Sequence, residues 1–309
     1  MKIIFLIAIL TFIAFPTGRG GISPPQAALT VKVLDEFAQP IAGARISIRA
    51  ADKDNIQKQN GKSDQNGTFT GQMPSFGFLN YSTGCEGYYS SWGVYRFKRG
   101  AMNGDITEWA NRQWEPWNPT VEVVLKKKGN PIPMYAKRID IVPPVADGTA
   151  IGFDFIEGDW LTPYGKGKVA DLIFSGTGTF EKGDYKVMWT FTNVGDGIQV
   201  HLYDGGPRSQ LASPAKAPID GYLPHVTVDG EGRIPGQPGN DRPLCFTFRV
   251  RTVVDNAGKV ITAHYGKIYT AGYRFVYYFN PIQNSRVLEF DVKHNLFNDL
   301  KFTGPINDP

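Results

Sequence analysis

Apolar and polar residues alternate along much of this chain with a period of two, which is typical of strands that bury one face. The alternation is clearest at Val31 and Val33 and again at Ile46 and Ile48. No long segment beyond the first twenty residues has the helical period. Many glycines and prolines separate the alternating segments, as expected of short strands joined by turns. The pattern therefore predicts an all-β protein.

The first such region covers residues 29–128. A strand at residues 31–35 is followed by the Pro40 turn, a second strand that ends at Ile48, and Ser63-Asp-Gln-Asn-Gly-Thr-Phe69. In that motif Asn66-Gly67 predicts a tight hairpin, because both residues tolerate positive φ. With Gly87-Tyr88 and a last strand at residues 120–126, the region resembles the carboxypeptidase regulatory-like (transthyretin-like) domain. The resemblance implies an immunoglobulin- or transthyretin-like β-sandwich that acts as a scaffold and not as a catalyst.

A second and larger β-sandwich or jelly-roll domain is predicted over residues 135–305, after a proline-rich connector at residues 130–134. The candidate strands are residues 137–141, 151–155, 169–174, 185–191, 198–202, 245–254, 260–269, 273–279 and 288–291. Residues 207–243 are rich in proline and glycine and predict a long surface loop. This half is similar to a group of exported bacterial proteins through Gly158-Asp-Trp160, residues 163–167 and Asn280-Pro-x-x-Asn284, a resemblance that implies no activity.

Residues 1–20 have the features of a signal peptide: Lys2 is followed by an apolar run from Ile3 to Phe15 that is too short to span a bilayer. An uncleaved anchor is the alternative. We therefore expect an extracytoplasmic protein, whether periplasmic, secreted or on the cell surface, with no membrane span in the mature chain. Of the two cysteines, Cys85 and Cys245, each falls in a different predicted domain, which favours two separate thiols over a disulfide that would join the domains.

Charge and motifs exclude several classes of function. The formal net charge is only +4, and the one strict basic run, Lys126–Lys128, ends a predicted strand, so no nucleic-acid site is expected. The four histidines lack zinc-site spacing, and no Gly-x-Ser-x-Gly elbow is present. We predict no catalytic residue, no metal and no cofactor. Loops at residues 229–232 and 239–241 are a weaker option for calcium, and ordinary polar turns are favoured there.

Carboxylates leave one enzymatic alternative open, because a jelly-roll glycosidase needs only two acids across a cleft. Asp154 and Glu289 lie at polar positions of alternating strands and are expected to face solvent. The candidate acids of the second domain are Asp154, Glu157, Asp159, Asp171, Glu289 and Asp291.

The segment of residues 91–118 holds four of the six tryptophans and is predicted to be a long loop. Exposed aromatic rings suit the apolar faces of sugars, and hydrogen-bonding side chains are interleaved here. The predicted ligand-binding residues are Trp92, Tyr95, Trp109 and Trp114. The alternative is that these rings fill the seam between the domains. The sequence thus predicts an exported, non-catalytic binding or structural module that binds a glycan or an envelope protein. The alternatives are the carbohydrate-active enzyme and an assembly component of the envelope.

Overall fold

The computed structural model describes residues 24–51, 56–97, 113–140, 148–179, 182–203, 205–229, 232–235, 243–271, 274–297 and 308–309. These residues form strands and turns and contain no helix. The predicted all-β fold class is therefore confirmed. The predicted signal peptide lies outside the described residues.

Nineteen strands occur in the described part of the chain. They are β1 (Gln26–Leu34), β2 (Arg45–Ala51), β3 (Ile56–Lys62), β4 (Thr68–Pro74), β5 (Phe78–Gly84), β6 (Ser91–Arg96), β7 (Thr120–Val124), β8 (Ile132–Asp140), β9 (Ala150–Asp154), β10 (Asp159–Trp160), β11 (Leu172–Thr177), β12 (Lys186–Thr190), β13 (Gly197–Leu202), β14 (Arg208–Ser209), β15 (His225–Asp229), β16 (Pro243–Val254), β17 (Val260–Ala271), β18 (Arg274–Asn280) and β19 (Phe290–Asn295).

Two sheets built mainly from the first third of the chain enclose one apolar core. The three-stranded sheet has the order β4-β1-β7, and the five-stranded sheet has the order β14-β6-β5-β2-β3. Alternate residues of β1 and β2, among them Val31, Val33, Ile46 and Ile48, are buried in this core. Burial of these apolar faces removes them from water and is the main favourable term holding the two sheets together.

The turn at Asn66-Gly67 differs from the predicted hairpin. Strand β3 pairs with β2 and β4 pairs with β1, so the turn leads from one sheet to the other. The Asp64 carboxylate accepts hydrogen bonds from the backbone N–H groups of Asn66 and Thr68. Gly67 has φ +77°, and a side chain there would strike the Val33 carbonyl. The dipeptide correctly marked a tight turn, but the carboxylate and the Val33 contact direct the chain across the sandwich.

A second pair of sheets encloses a core rich in aromatic residues. Their orders are β10-β9-β11-β12-β15 and β13-β16-β17-β18-β8-β19. Phe153 and Phe174 from the five-stranded sheet meet Phe275 and Tyr277 from the six-stranded sheet, with ring centroids 5.5–6.0 Å apart across the interface. Edge-to-face and tilted contacts of this kind add to the stabilisation from burial alone.

Three loop predictions are wrong in part. Residues 132–134 of the predicted connector begin β8, which lies between β18 and β19. The predicted surface loop at residues 207–243 includes β14 and β15, and β15 forms the edge of a sheet beside β12. The predicted loop at residues 91–118 begins with β6, which pairs with β5 over its whole length.

Polar contacts join the two halves of the chain. The Tyr89 hydroxyl donates to Glu289 Oε1 at 2.9 Å, and the Gly129 N–H donates to the same oxygen at 2.7 Å. Lys126 Nζ donates to the carbonyls of Leu211 and Ser213. Lys126 lies half-buried against the second half of the chain, and this burial lowers its pKa.

Candidate functional site

The outer face of the sheet β14-β6-β5-β2-β3 carries the most distinctive arrangement of exposed side chains. On β2, Ile46, Ile48 and Ala50 point into the core, so the alternate residues Arg45, Ser47 and Arg49 point outward. The neighbouring strands obey the same alternation. This face therefore displays mostly polar side chains, with Ile56, Phe78, Trp92 and Val94 as its apolar members.

The strand register arranges these side chains in three rows across the sheet. The middle row is neutral: Asn60 lies opposite Ser47, Ser47 opposite Ser82, and Ser82 opposite Trp92. The next row on one side, two residues along each strand, places Lys62 opposite Arg45. The next row on the other side places Lys58 opposite Arg49 and Arg49 opposite Asn80. Outward positions two residues apart along a strand are separated by about 6–7 Å.

Trp92 is the aromatic residue of the middle row, and 45% of its surface is exposed. Two adjoining grooves of about 400 and 680 Å³ run along the face, and Ser47, Lys58, Ser82 and Trp92 line both of them. Gly93 makes room for the Tyr81 ring on the inner side of β6, because a side chain there would collide with the Tyr81 hydroxyl group. In the register of the sheet the small hydroxyl side chain of Ser82 lies opposite Trp92, and that of Ser47 lies opposite Ser82.

The charge on this face has a single sign. Strands β2, β3, β5 and β6 carry Arg45, Arg49, Lys58, Lys62 and Arg96 and contain no acidic residue. All five cations are exposed, and β14 adds Arg208 opposite Trp92. Among the described residues, no carboxylate forms an ion pair with any of these side chains. Like charges placed directly opposite each other on a sheet are destabilising, so the paired cations weaken the fold.

The four aromatic residues predicted as a ligand platform do not lie together. Trp92 is on the outer face, whereas Tyr95 packs against the core of the first sandwich. Trp114 is only 3% exposed, and its indole N–H donates to the Ser75 carbonyl at 2.7 Å. Trp114 is thus a core residue with a satisfied N–H and offers no face to a ligand. Trp109 lies outside the described residues.

Two of the acids expected to be available for catalysis are fixed in a buried ion cluster. Arg251 Nε and Nη2 contact the two oxygens of Asp171 at 2.7 and 2.8 Å, and Nη2 contacts Asp154 Oδ1 at 3.1 Å. Asp154 also accepts four backbone N–H groups, from Ile156, Glu157, Lys168 and Val169. Burial opposes the charge of Asp154, but these donors hold its pKa below the usual value. For Asp171 burial dominates and raises the pKa in spite of Arg251.

The prediction that Asp154 and Glu289 face solvent is wrong, since both are buried. The Asp154 side chain points to the face of β9 opposite Phe153, but residues 168–171 cover that face. Glu289 is enclosed where Tyr89 and Gly129 approach it. Of the other acids, Glu157 pairs with Lys168, Asp159 accepts the N–H of Trp160, and Asp291 pairs with His294 at 2.6 Å. Each of these carboxylates therefore has a local structural partner.

No group of three or more potential metal ligands occurs in the described part of the chain. His201 contacts Thr247 Oγ1 at 3.0 Å, and burial lowers its pKa. The thiols of Cys85 and Cys245 are not joined, and Cys245 is buried. Within the described ranges there is also no helix with the length and apolar character needed to cross a bilayer.

Comparisons with known proteins give resemblances in structure only. No family model matches the chain, and no curated protein matches it. Among solved structures, 3-chlorocatechol 1,2-dioxygenase from Rhodococcus opacus 1CP is 15% identical with a TM-score of 0.25, over 34% of this chain and 61% of that one. A DUF3823 family protein from Parabacteroides merdae ATCC 43184 is 9% identical with a TM-score of 0.22, over 87% of this chain and 100% of that one. A streptococcal ancillary pilin is 10% identical with a TM-score of 0.22, over 79% and 59%. The chain thus spans less than two thirds of the length of the dioxygenase, and none of these similarities indicates a function.

The cations beside Trp92 were not among the predicted site residues. Part of their signal is present in the sequence, because Arg45 and Arg49 occupy the polar positions of an alternating strand, whereas Lys58 and Lys62 lie in a segment without apolar alternation. Only the register of β2 against β3 and β5 shows that these charges form opposed pairs on either side of a neutral row.

Proposed function

We propose that this protein is an exported, non-catalytic binding module that holds a carbohydrate chain against the outer face of the sheet β14-β6-β5-β2-β3. The observation that carries the proposal is the exposed indole of Trp92 at the end of a row of small hydrogen-bonding side chains. A sugar ring has an apolar face that stacks on such an indole and hydroxyl groups that pair with Ser47, Ser82 and Asn60.

Two expectations from the sequence support the same proposal. The signal peptide expected at residues 1–20 would deliver the face to the periplasm, the cell surface or the medium, where polysaccharides of the envelope are found. The carboxypeptidase regulatory-like resemblance of residues 29–128 agrees with a scaffold that presents a surface. The partners of Asp154 and Asp171 favour binding over hydrolysis, because a glycosidase needs carboxyl groups that are free to transfer protons or attack.

The decisive experiment compares Trp92→Ala with Trp117→Ala. Trp117 is 38% exposed but does not line either groove, so it is a matched control for loss of an exposed indole. The exposed part of Trp92 is about 100 Å², and covering it with a sugar ring is worth roughly 2 kcal/mol. We therefore expect Trp92→Ala to weaken retention on a glycan array and in affinity electrophoresis by at least tenfold.

Each variant loses the buried part of an indole, so both should be destabilised to a similar extent, and a difference in glycan retention between them reports the ligand contact. Equal loss of glycan binding in the two variants, or undiminished binding by Trp92→Ala, would show that the ligand binds elsewhere. Failure of the parent protein to retain any glycan would reject the proposed function.

A further inference from the structure

The cations of the outer face are arranged in a way that neither folding nor edge protection explains. Arg45 and Lys62 form one opposed pair, and Arg49 and Lys58 form another, about 13 Å away along the strands. Between them lies the neutral pair Ser47 and Asn60. Both cation pairs are exposed, and no described carboxylate neutralises them. The two cations of each pair repel each other as long as no anion binds between them.

Protection of a sheet edge accounts for only half of this charge. Strand β3 is an edge strand, and lysines there discourage pairing with another chain. Strand β2 lies between β5 and β3, so its backbone groups are already paired on both sides. Arg45 and Arg49 therefore protect no edge, although they double the charge opposite the lysines. Their position requires another explanation.

The arginine side chains of β2, Arg45 and Arg49, suit anionic groups in particular. An arginine presents a planar fork of N–H donors that matches a carboxylate or a sulfate, and it stays charged at any physiological pH. Arg96 lies over the Phe78 ring at 5.8 Å, and Arg208 lies over the Tyr203 ring at 4.8 Å. These ring contacts hold two further guanidinium groups on this face, Arg208 opposite Trp92 and Arg96 four residues away from Trp92 along β6.

We propose that the ligand of this face is an acidic polysaccharide that lies across the strands along the row from Asn60 to Trp92, with its anionic groups on both sides against the two cation pairs. The inference rests on the proposed function and adds the class of glycan and its direction on the sheet. Stacking on Trp92 fixes one sugar ring, and the arginines of β2 recognise the charge of the neighbouring units. Binding of the anions relieves the repulsion within each cation pair.

The test compares one polymer in a charged and an uncharged form: polygalacturonate and its methyl ester, with chondroitin sulfate and dextran as a second acidic and neutral pair. The variant Arg45→Gln/Arg49→Gln removes two charges from the face. Its control, Lys166→Gln/Lys259→Gln, removes two exposed charges from the other half of the chain. Affinities are measured by isothermal titration calorimetry at 50 and 300 mM NaCl, because screening weakens exposed charge pairs over that range.

We expect the parent protein to bind at least one acidic polymer at least tenfold more tightly than its neutral counterpart, and to lose most of that preference at 300 mM NaCl. The arginine variant should bind the acidic polymer at least tenfold more weakly, and the lysine control should match the parent. Both double variants should have parental thermal stability or slightly higher.

The other outcomes separate the two proposals. Equal affinity for charged and uncharged polymers, with binding still lost in Trp92→Ala, would overturn the acidic ligand and leave the carbohydrate-binding function in place. Parental affinity of the arginine variant for the acidic polymer would also overturn it. Binding of no polymer in either set would reject both proposals. Tighter binding of oligo-dT than of every glycan would assign the face to a different class of ligand and overturn both.

Discussion

Replacement of Arg251 by methionine tests whether Asp154 and Asp171 are structural. The methionine keeps most of the apolar bulk of the arginine and removes its charge, which is the only side-chain cation in contact with the two carboxylates in the described residues. Asp171 would keep one donor, the Phe155 N–H, whereas Asp154 would keep its four backbone donors. The loss of hydrogen bonds and of charge compensation should therefore affect mainly Asp171.

The magnitude follows from the burial of that carboxylate. The Asp171 side chain is fully buried, and the Arg251 side chain is 26% exposed. Removing one partner of a buried ion pair costs roughly 3–5 kcal/mol, and the partial exposure of Arg251 favours the lower end, about 3 kcal/mol. Changing the orphaned carboxylate to an uncharged amide, in Arg251→Met/Asp171→Asn, should restore about half of the lost stability.

Urea unfolding followed by tryptophan fluorescence measures this effect, because Trp189 lies fully buried in the same core. The control is Arg138→Met, which removes an exposed arginine from β8 and should change the free energy of unfolding by less than about 0.5 kcal/mol. The two cores of the protein need not unfold together. The variants are therefore compared by the urea midpoint of the transition of the core that contains Trp189.

The pH dependence gives an independent check with a defined sign. The pKa of Asp154 is lowered in the folded protein, so its contribution to stability is complete above the unfolded value of about 4 and is lost as the pH falls below it. The pKa of Asp171 is raised, so its ionisation penalty is relieved by acid. In Arg251→Met the penalty for ionising Asp171 grows. Acid relieves this penalty, so the stability of the variant should approach that of the parent as the pH falls from 7 to 4.5. A destabilisation below 1 kcal/mol at pH 7, or a double variant no more stable than the single one, would refute a structural role.

Three further predictions concern the rest of the molecule. Glu289→Gln weakens the hydrogen bonds to Tyr89 and Gly129, so amide exchange of Gly129 should accelerate by about tenfold, whereas Asp291→Asn should leave it unchanged. Gly93→Ala introduces a collision with Tyr81 and should lower the free energy of unfolding by about 1–3 kcal/mol in urea titrations; no change would mean that the ring moves freely. Burial lowers the pKa of Lys267 to about 7, so the folded protein excludes a proton that the unfolded chain binds between pH 7 and 10. The stability advantage of Lys267→Met over the parent should therefore shrink by a few kcal/mol as the pH rises from 7 to 9.5, and a gap independent of pH would contradict the shift.

The alternation of apolar residues was sufficient to predict the fold class, because a half-buried strand requires it. It failed where prolines interrupt a strand. Pro133 lies within β8, but its side chain is exposed and the parallel pairing of β8 with β19 is irregular there, so the missing N–H is tolerated. Strand β15 was missed for a related reason: it has five residues, lies between proline-rich segments and pairs only at the edge of its sheet.

The candidate site was predictable in part. Trp92 was predicted because aromatic residues are dense around it, but that same density included Trp114, which belongs to the core. Strand alternation gives the side to which a residue points and does not give what covers that side. Asp154 illustrates the limit, since it points away from Phe153 and is nevertheless buried beneath residues 168–171. Loop residues that pack against these side chains decide both cases: residues 168 and 169 for Asp154, and Ser75 for Trp114.

The distribution of charge bears on two of the three functions that the sequence left open, the binding module and the carbohydrate-active enzyme. The buried acids of the described residues, Asp154, Asp171 and Glu289, all accept hydrogen bonds or ion pairs from fixed partners. Each of these carboxylates therefore has a structural partner that fixes its position. The charges without a described partner on the outer face are all positive and surround an exposed indole. An exposed aromatic ring among cationic side chains suits an anionic sugar chain, which is the class of ligand that we propose for this face.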